Sequence, residues 1–272
     1  MSKPQNIAGT AFVIAALRAE ENIASSPLYV DKIAELFLDA QIKQIAQNIA
    51  QASPLAKEMV KLRTKYFDDA LSRQISLGDR QVVILGSGLD TRAVRYNLAG
   101  VSYFEIDNRA TLELKAEVLK KNNITANVRY IPGDYLKDDL VSLLQQNQFN
   151  FDLPTYLIWE GNTTLLAKAD VISVLETIRD NFKHFRLSFD YMSDKVISRT
   201  TGVRDINDYI DRYESMYAPW ITGFENIGTL ANSLNLKAIE NFSTADLSKK
   251  YRPNCLQEAN ILNFYFVCTL GN

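Results

Sequence analysis

A strand that ends in two closely spaced glycines, followed by a strand that ends in an acid, constrains this chain more than any other feature. Residues 81–85 are an apolar, β-branched run, and Gly86 and Gly88 follow it. Residues 102–107 form a second short strand pattern, which closes on Asp107. Glycine lets the backbone turn tightly and approach a ligand closely. The pair predicts a nucleoside-binding crevice at the carboxyl ends of two neighbouring parallel strands, where Asp107 accepts hydrogen bonds from ribose hydroxyls.

Two classes of cofactor use this geometry. A dinucleotide site takes the pattern Gly-x-Gly-x-x-Gly, because a pyrophosphate lies on the N-terminus of the following helix. Here Thr91 occupies the third glycine position, and Asp90 precedes it. An acid beside the phosphate position would repel a pyrophosphate but would not repel a sulfonium, so the sequence favours S-adenosylmethionine over NAD. The structural alternative is a glycine turn that only connects a strand to a helix.

The composition is that of an ordinary globular protein, and it argues against several functions. The 272 residues carry a net charge of −2, without the basic excess that is typical of nucleic-acid binders. One histidine and two cysteines, Cys255 and Cys268, make a poor zinc site, so we expect no metal and two reduced, unreactive thiols. Residues 7–17 are apolar but short for a membrane span, and we see no secretory signal. We therefore expect a cytoplasmic protein without a membrane or nucleic-acid partner.

The first 80 residues show helical patterns, and the remainder alternates between strands and helices. We expect one helix over residues 31–50 and another that is capped by Ser53, begins at Pro54 and ends before Gly78. Strands are predicted at residues 81–85, 102–107, 127–132, 155–160, 185–191, 237–242 and 263–270. Helices are predicted at residues 91–98, 109–122, 136–147, 164–182 and 224–235. This alternation predicts a mostly parallel sheet covered on both faces.

The C-terminal part departs from the alternation in two places. No convincing helix separates the last two predicted strands, which predicts that the final strand is antiparallel. Residues 192–223 form an aromatic-rich insertion, for which we expect a helical lid or substrate wall; an ordinary packing helix is the alternative. The predicted fold is α/β, a Rossmann-like sheet of seven strands typical of class I methyltransferases. We divide the chain into an N-terminal helical cap, residues 1–80, and a cofactor-binding domain, residues 81–272.

Three motifs in a fixed order resemble the leucine carboxyl methyltransferase family, and its bacterial branch most closely. They are Arg-Thr-Lys-Tyr-Phe-Asp-Asp at residues 63–69, Leu-Gly-Ser-Gly-Leu-Asp-Thr-Arg-Ala-Val-Arg at residues 85–95, and Phe-Glu-Ile-Asp at residues 104–107. The family includes bacterial S-adenosylmethionine-dependent methyltransferases and the enzyme that methylates the C-terminal carboxylate of protein phosphatase 2A. The resemblance therefore implies a methyltransferase whose cofactor is S-adenosyl-L-methionine.

The same resemblance implies roles for individual residues. Arg63 corresponds to the arginine that pairs with the cofactor's methionyl carboxylate, which suits a guanidinium fork. Gly86 lies under the methionyl part, and Ser87 and Gly88 of the same loop also bind the cofactor. Asp107 binds the ribose, while Glu105 on the opposite face of its strand is structural. Further along the chain, the implied contacts to adenine come from Asp134 and Tyr135, and the contact to the methionyl or sulfonium region comes from Glu160.

The methyl acceptor is less constrained than the cofactor. Asn162, Thr163 and Thr164 stand where the family usually has an apolar run, so phosphatase methylation is not carried over. The single histidine, His184, precedes a predicted strand and so lies at the wrong end for a base. A carboxylate acceptor needs no base, whereas a hydroxyl acceptor usually does. We expect O-methylation of a small molecule or a carboxylate; the alternatives are an NAD-dependent oxidoreductase and a non-catalytic binding domain.

Overall fold

The computed structural model describes residues 9–52, 54–203, 206–208, 210–211, 219–253 and 261–272. The chain divides into two compact units, one that runs to Asn150 and one that runs from Phe151 to Asn272. Each unit contains both helices and strands, and each is described separately. The division into a cap of residues 1–80 and a domain of residues 81–272 stays a prediction.

Three helices open the first unit: α1 (Gly9–Ala19), α2 (Ala40–Ala52) and α3 (Pro54–Leu77). The predicted helix over residues 31–50 is therefore wrong in its first part, where a 3₁₀ turn, Ala34–Phe37, precedes α2. Leu38 is extended, and the Asp39 carboxylate accepts a hydrogen bond from the backbone N–H of Ile42 at 2.7 Å. An N-terminal cap at Asp39 thus separates the two pieces. The helix predicted from Pro54 is confirmed.

The rest of the first unit alternates strands with helices. In chain order the elements are β1 (Gln81–Leu85), α4 (Arg92–Arg95), β2 (Ser102–Asp107), α5 (Arg109–Lys121), β3 (Val128–Pro132) and α6 (Leu140–Gln146). β1 is buried along its whole length and pairs in parallel with β2, which pairs in parallel with β3. The three predicted strands are confirmed to within one residue, whereas the helix predicted at 91–98 is a single turn.

One hydrophobic cluster joins the N-terminal helices to the rest of the first unit. Phe12 and Leu17 of α1 lie in it together with Phe37, with Leu89 from the segment after β1, and with Leu119 of α5. Each of these side chains is buried. The segment that follows β1 is therefore held from one side by the N-terminal helices.

Besides helical residues at 206–208 and 210–211, the described part of the second unit contains four strands and four helices. They are β4 (Thr155–Trp159), α7 (Lys168–Asn181), β5 (Phe185–Met192), α8 (Asp194–Ile197), α9 (Ile227–Ser233), β6 (Lys237–Ser243), α10 (Thr244–Tyr251) and β7 (Tyr265–Gly271). Short 3₁₀ turns at Thr163–Leu165 and Ile261–Asn263 precede α7 and β7. The four strands agree with the predicted ones to within two residues.

The strand order of the sheet is β3-β2-β1-β4-β5-β7-β6. β4 and β5 are parallel, and β7 pairs antiparallel with both β5 and β6. The predicted fold class, a mostly parallel sheet of seven strands with one reversed strand at the C-terminus, is confirmed. No helix in the described part of the chain is long and apolar enough to cross a bilayer.

The absence of a helix between the last two strands was a wrong expectation, because α10 lies there. Ser243 caps this helix: its hydroxyl accepts from the N–H of Asp246 at 3.1 Å, and the Asp246 carboxylate accepts from the N–H of Ser243 at 3.1 Å. This reciprocal arrangement is a capping box. The Ser-Thr-Ala-Asp sequence at 243–246 is the signal that could have revealed the helix.

Replacing the cap serine tests how much this short helix depends on its first turn. We expect Ser243→Ala to lower the free energy of unfolding by about 1 kcal/mol, because the N–H of Asp246 loses its acceptor. Urea unfolding followed by circular dichroism measures the change. Ser233→Ala is the control, since that hydroxyl donates to the Leu230 carbonyl on an exposed surface. Equal unfolding midpoints for Ser243→Ala and the parent would contradict the cap.

The predicted lid, residues 192–223, is described only in part. α8 begins it, and a β-bridge between Met192 and Gly223 closes it, with the N–H of Phe224 donating to the Met192 carbonyl at 2.9 Å. Most of the aromatic stretch at 208–220 lies outside the described residues, as does Cys255. Cys268 is buried as a free thiol, and burial raises its pKa, which agrees with the expected unreactive cysteine.

Candidate functional site

The loop after β1 turns through two glycines in the left-handed region. Gly86 has φ 60° and Gly88 has φ 49°. A Cβ added at Gly88 would meet the Ala11 side chain only at 3.7 Å, so backbone conformation and not space requires glycine there. Ser87 lies buried between them, and its N–H donates to the Ile106 carbonyl at 3.2 Å. The loop therefore bends over the end of β2.

Asp107, at the end of β2, lies against this loop. One carboxylate oxygen accepts from the N–H of Gly88 at 2.7 Å. The other accepts from the backbone N–H of Asn108 at 2.6 Å and from its side-chain amide at 2.7 Å. The side chain is half-buried, and a carboxylate has about four acceptor positions, so it retains capacity for a ligand. The sequence-predicted meeting of the glycine turn with Asp107 is thus present.

Asp134 and Tyr135 follow β3 at the same edge of the sheet. The N–H of Gly133 donates to the Asp107 carbonyl at 3.1 Å, which ties this segment to the end of β2. The Asp134 carboxylate accepts from the exposed Lys137 ammonium at 2.8 Å, and this contact lowers its pKa. Exposed ion pairs of this kind contribute little to stability. The carboxylate can therefore exchange Lys137 for a ligand at small cost.

Arg63 lies on α3 in the first unit and is buried. A buried guanidinium is the kind of group that binds a carboxylate with two parallel hydrogen bonds. Its assignment to the cofactor carboxylate stays a prediction. Glu160 follows β4 in the second unit, so its assignment stays a prediction as well.

Within the second unit, the polar segment after Glu160 is bonded to its own surroundings. The N–H of Gly161 donates to the buried Asp190 carboxylate at 2.6 Å, and the Thr163 hydroxyl donates to the Asp190 carbonyl. The Tyr265 hydroxyl donates to the same carboxylate. Sequence reasoning missed Asp190, although an acid within the predicted strand at 185–191 was a visible signal. The threonine at 163 is thus structural, which removes one reason to read the segment as an altered acceptor site.

The charge argument based on Asp90 is wrong in its physical basis. The Asp90 carboxylate is paired with the Arg92 guanidinium at 2.5 Å and accepts from the backbone N–H of Arg92 at 2.6 Å. Burial alone would raise the pKa of Asp90, but Arg92, Lys115 and Arg18 lower it to about 2. The carboxylate is therefore ionised but neutralised within the protein. It would not repel a phosphate as a free acid would.

Two other sequence expectations hold. Glu105 is fully buried on the opposite face of β2 from Asp107 and pairs with Lys115 of α5, so it is structural. His184 is exposed before β5, and its carbonyl accepts from the N–H of Thr155 at the start of β4, far along the strands from their carboxyl ends. Among the described residues, no group of three or more histidine, cysteine or acidic side chains could hold a metal ion.

Comparison with known proteins identifies relatives of this chain. Residues 11–179 match the family model described as leucine carboxyl methyltransferase. A protein of Mycolicibacterium smegmatis, named "putative S-adenosyl-L-methionine-dependent methyltransferase", is 37% identical over 169 residues, 57% of either chain. A protein of Frankia alni with the same kind of name is 32% identical over 190 residues, 65% of either chain. The match thus spans less than two thirds of these relatives.

Two crystal structures resemble this chain over most of its length. One is named as a "putative methyltransferase" of Thermobifida fusca; it has a TM-score of 0.64 and 16% identity, over 96% of this chain and 93% of that one. The other is the magnesium protoporphyrin IX methyltransferase of Synechocystis with bound S-adenosylhomocysteine. It has a TM-score of 0.53 and 6% identity, over 87% of this chain and 91% of that one. At sequence identities this low, the similarity shows only that the folds are alike.

Proposed function

The chain belongs to the leucine carboxyl methyltransferase family, and we propose that it is an S-adenosylmethionine-dependent methyltransferase whose cofactor lies on the loop after β1. The observation that carries the proposal is the contact between Gly88 and Asp107 beneath a turn of two left-handed glycines. Such a turn brings bare backbone up to a ligand, and the carboxylate beside it is suited to two ribose hydroxyls.

The helix after the loop supports this cofactor over NAD. A pyrophosphate needs the free N–H groups and the dipole of a helix N-terminus. Here α4 has only four residues, and its first N–H is already bonded to the Asp90 carboxylate. The Thr91 hydroxyl, at the third glycine position, donates to the buried Asp31 at 2.8 Å. An adenosyl cofactor without a phosphate does not need any of these groups for binding.

The bound cofactor would supply a methyl group that its sulfonium already activates. The chain's own task is then to hold both reactants in line and exclude water, and positioning of that kind supplies a large part of such a rate. We propose that Asp107 orients the ribose, Arg63 the methionyl carboxylate and Asp134 the adenine amino group. The full proposed set is Arg63, Gly86, Ser87, Gly88, Asp107, Asp134, Tyr135 and Glu160.

The acceptor that we propose is a carboxylate or hydroxyl of a small molecule, or a carboxylate on a protein. The only histidine is exposed before β5, so no imidazole serves the crevice as a base. A carboxylate acceptor fits that composition most simply, because it is already anionic. We also propose that residues 1–80 act as a cap and residues 192–223 as a lid on the cofactor side.

Calorimetric titration of the chain tests the cofactor. We expect S-adenosylmethionine and S-adenosylhomocysteine to bind and NAD not to bind. If only NAD gives heat of binding, the result favours the oxidoreductase alternative, and no binding of any of the three would end the proposal.

Turnover with a methyl-labelled cofactor and a panel of carboxylates and phenols then tests the chemistry. A methyl ester releases labelled methanol in mild base and an ether does not, so the product identifies the acceptor class. Cofactor binding without transfer to any acceptor in the panel would favour a non-catalytic binding domain.

The buried arginine of α3 gives a specific prediction. We expect Arg63→Ala to weaken S-adenosylhomocysteine binding by about 10- to 100-fold, since a charge-assisted bond to the methionyl carboxylate is lost. Arg63→Lys should recover only part of it, because an ammonium cannot form the two-pronged contact. Lys65→Ala on the same helix is the control, as it removes a cation from a surface pair with Asp69. Parent-like affinity in Arg63→Ala would remove this residue from the site.

A further inference from the structure

Six charged side chains meet beside the loop that follows β1, all within the first unit. We call them the charge cluster; its members are Arg18, Asp31, Asp68, Asp90, Arg92 and Arg95. Their side chains are at most 10% exposed. Three are cations and three are anions, so the cluster is neutral as a whole.

Asp68 of α3 is the link between the long helix and α4. One of its oxygens accepts from Arg92 Nε at 2.7 Å and from Arg95 Nη2 at 3.0 Å, while the other accepts from Arg95 Nη1 at 2.6 Å. Arg92 in turn binds Asp90, two residues beyond Gly88. A single carboxylate thus fixes both arginines of α4 and, through Arg92, the Asp90 side chain two residues beyond the glycine turn.

Asp31 makes a second link from the N-terminal segment. Its carboxylate accepts from Arg18 Nε at 3.0 Å and from the Thr91 hydroxyl at 2.8 Å. Thr91 also accepts from Arg95 Nε at 2.9 Å, and Arg18 reaches the Leu89 carbonyl at 2.5 Å. Residues 89, 91, 92 and 95 are therefore held by side chains that come from α1, α3 and the segment between α1 and α2.

Stability alone is a weak reason for such a cluster. Burying charges costs desolvation energy, and well-packed apolar residues are often as stabilising or more so. A cluster of this kind defines one geometry, since each guanidinium fork can donate to its carboxylate in only a few orientations. The segment whose geometry the cluster defines, residues 89–95, begins directly after Gly88. The N–H of Gly88 in turn donates to the Asp107 carboxylate.

We propose that Asp68 is a positioning residue for the cofactor: through Arg92 and Arg95 it sets the conformation of the Gly86–Gly88 turn, so that affinity for the cofactor depends on a carboxylate that does not touch it. The inference rests on the proposed function, because it assumes that the turn receives S-adenosylmethionine. Five motif residues would then position the loop without contacting the cofactor: Asp68, Asp90, Thr91, Arg92 and Arg95.

The test compares S-adenosylhomocysteine affinity with thermal stability in four variants. Asp68→Asn keeps the size of the side chain and removes its charge. Thr91→Val removes a hydroxyl from the cluster at constant shape, and Thr91→Ser restores it. Lys61→Met is the matched control: Lys61 lies on the same helix as Asp68, and its ammonium pairs at 2.8 Å with the buried Glu21 carboxylate, which is not a member of the charge cluster. Affinity is measured by calorimetry at a temperature where each variant is fully folded.

We expect about tenfold weaker binding in Asp68→Asn and about threefold weaker binding in Thr91→Val, as for the loss of one or two buried polar contacts. Thr91→Ser should bind like the parent, and Lys61→Met should lose thermal stability while keeping the parent's affinity. If Asp68→Asn does not fold, the two Thr91 variants decide. The inference is overturned if Asp68→Asn and Thr91→Val melt earlier but bind like the parent, or if Lys61→Met loses affinity equally. A parent that binds no S-adenosylhomocysteine overturns the proposed function instead.

Discussion

Replacing Asp107 with alanine is expected to abolish measurable S-adenosylhomocysteine binding, and this is the largest effect on binding that we predict. The proposed contacts of the carboxylate with the two ribose hydroxyls are charge-assisted, and their loss is worth about 3 kcal/mol, or about a 100-fold higher Kd. The substitution also removes the acceptor of the Gly88 N–H, at 2.7 Å, so the turn loses its support from β2. Calorimetric titration of the folded variant measures the affinity.

The control for this variant is the same change at an aspartate with only a local role. Asp139 begins α6, where its carboxylate accepts from the N–H of Val141 at 3.1 Å and from the Ser142 hydroxyl at 2.6 Å. We expect Asp139→Ala to lose some stability and to keep the parent's affinity. Binding by Asp107→Ala at the parent's affinity would mean that the cofactor lies elsewhere, whatever the family resemblance.

Buried strands were predictable from the sequence, whereas the starts of several helices were not. The residues of β1 and β4 are all buried, and an apolar run bounded by turn residues marks such a strand directly. α2, α6 and α9 begin several residues later than predicted, since Asp39, Asp139 and Asn226 cap them from inside the predicted ranges. A capping residue accepts a hydrogen bond from a backbone N–H, but the spacing of apolar residues does not distinguish it from any other exposed polar residue.

The part of the site that lies at the ends of two adjacent parallel strands was also predictable. Gly86, Gly88 and Asp107 meet because parallel β1 and β2 end at the same edge of the sheet. The charge cluster was not predictable, because Asp68 lies 24 residues from Arg92 and Asp31 lies 60 residues from Thr91. Sequence spacing cannot pair such residues before the fold is known. Asp90 was read as a free acid although Arg92, which neutralises it, is only two residues away, because the sequence pattern does not show that these two side chains meet.

The buried pair behind β2 leads to the largest predicted change in stability. Glu105 and Lys115 are both almost fully buried and pair with each other. Removing one partner of a buried pair leaves an uncompensated charge, and we expect Lys115→Met to lower the free energy of unfolding by about 3 kcal/mol at neutral pH. Urea unfolding measures the loss. The double variant Glu105→Gln/Lys115→Met should recover most of it, because neither charge then remains in the core.

The stability deficit of Lys115→Met should depend on pH, and the pKa of Glu105 determines in which direction. Burial raises the pKa of Glu105 above its ordinary value even though Lys115 opposes the shift, and without Lys115 the pKa must rise further. A carboxyl whose folded pKa is raised stabilises the fold when protonated, and that stability is lost as pH rises from its unfolded pKa to its folded one. The deficit of Lys115→Met relative to the parent should therefore shrink as the pH falls from about 8 to about 5, near the ordinary range of a glutamate. The double variant has no carboxyl at position 105, so its deficit should not shrink but grow slightly as the pH falls, because only the parent then gains stability from the raised pKa of Glu105. A deficit that is the same at both pH values would mean that lost packing of the lysine stem, and not the unpaired carboxylate, destabilises the variant.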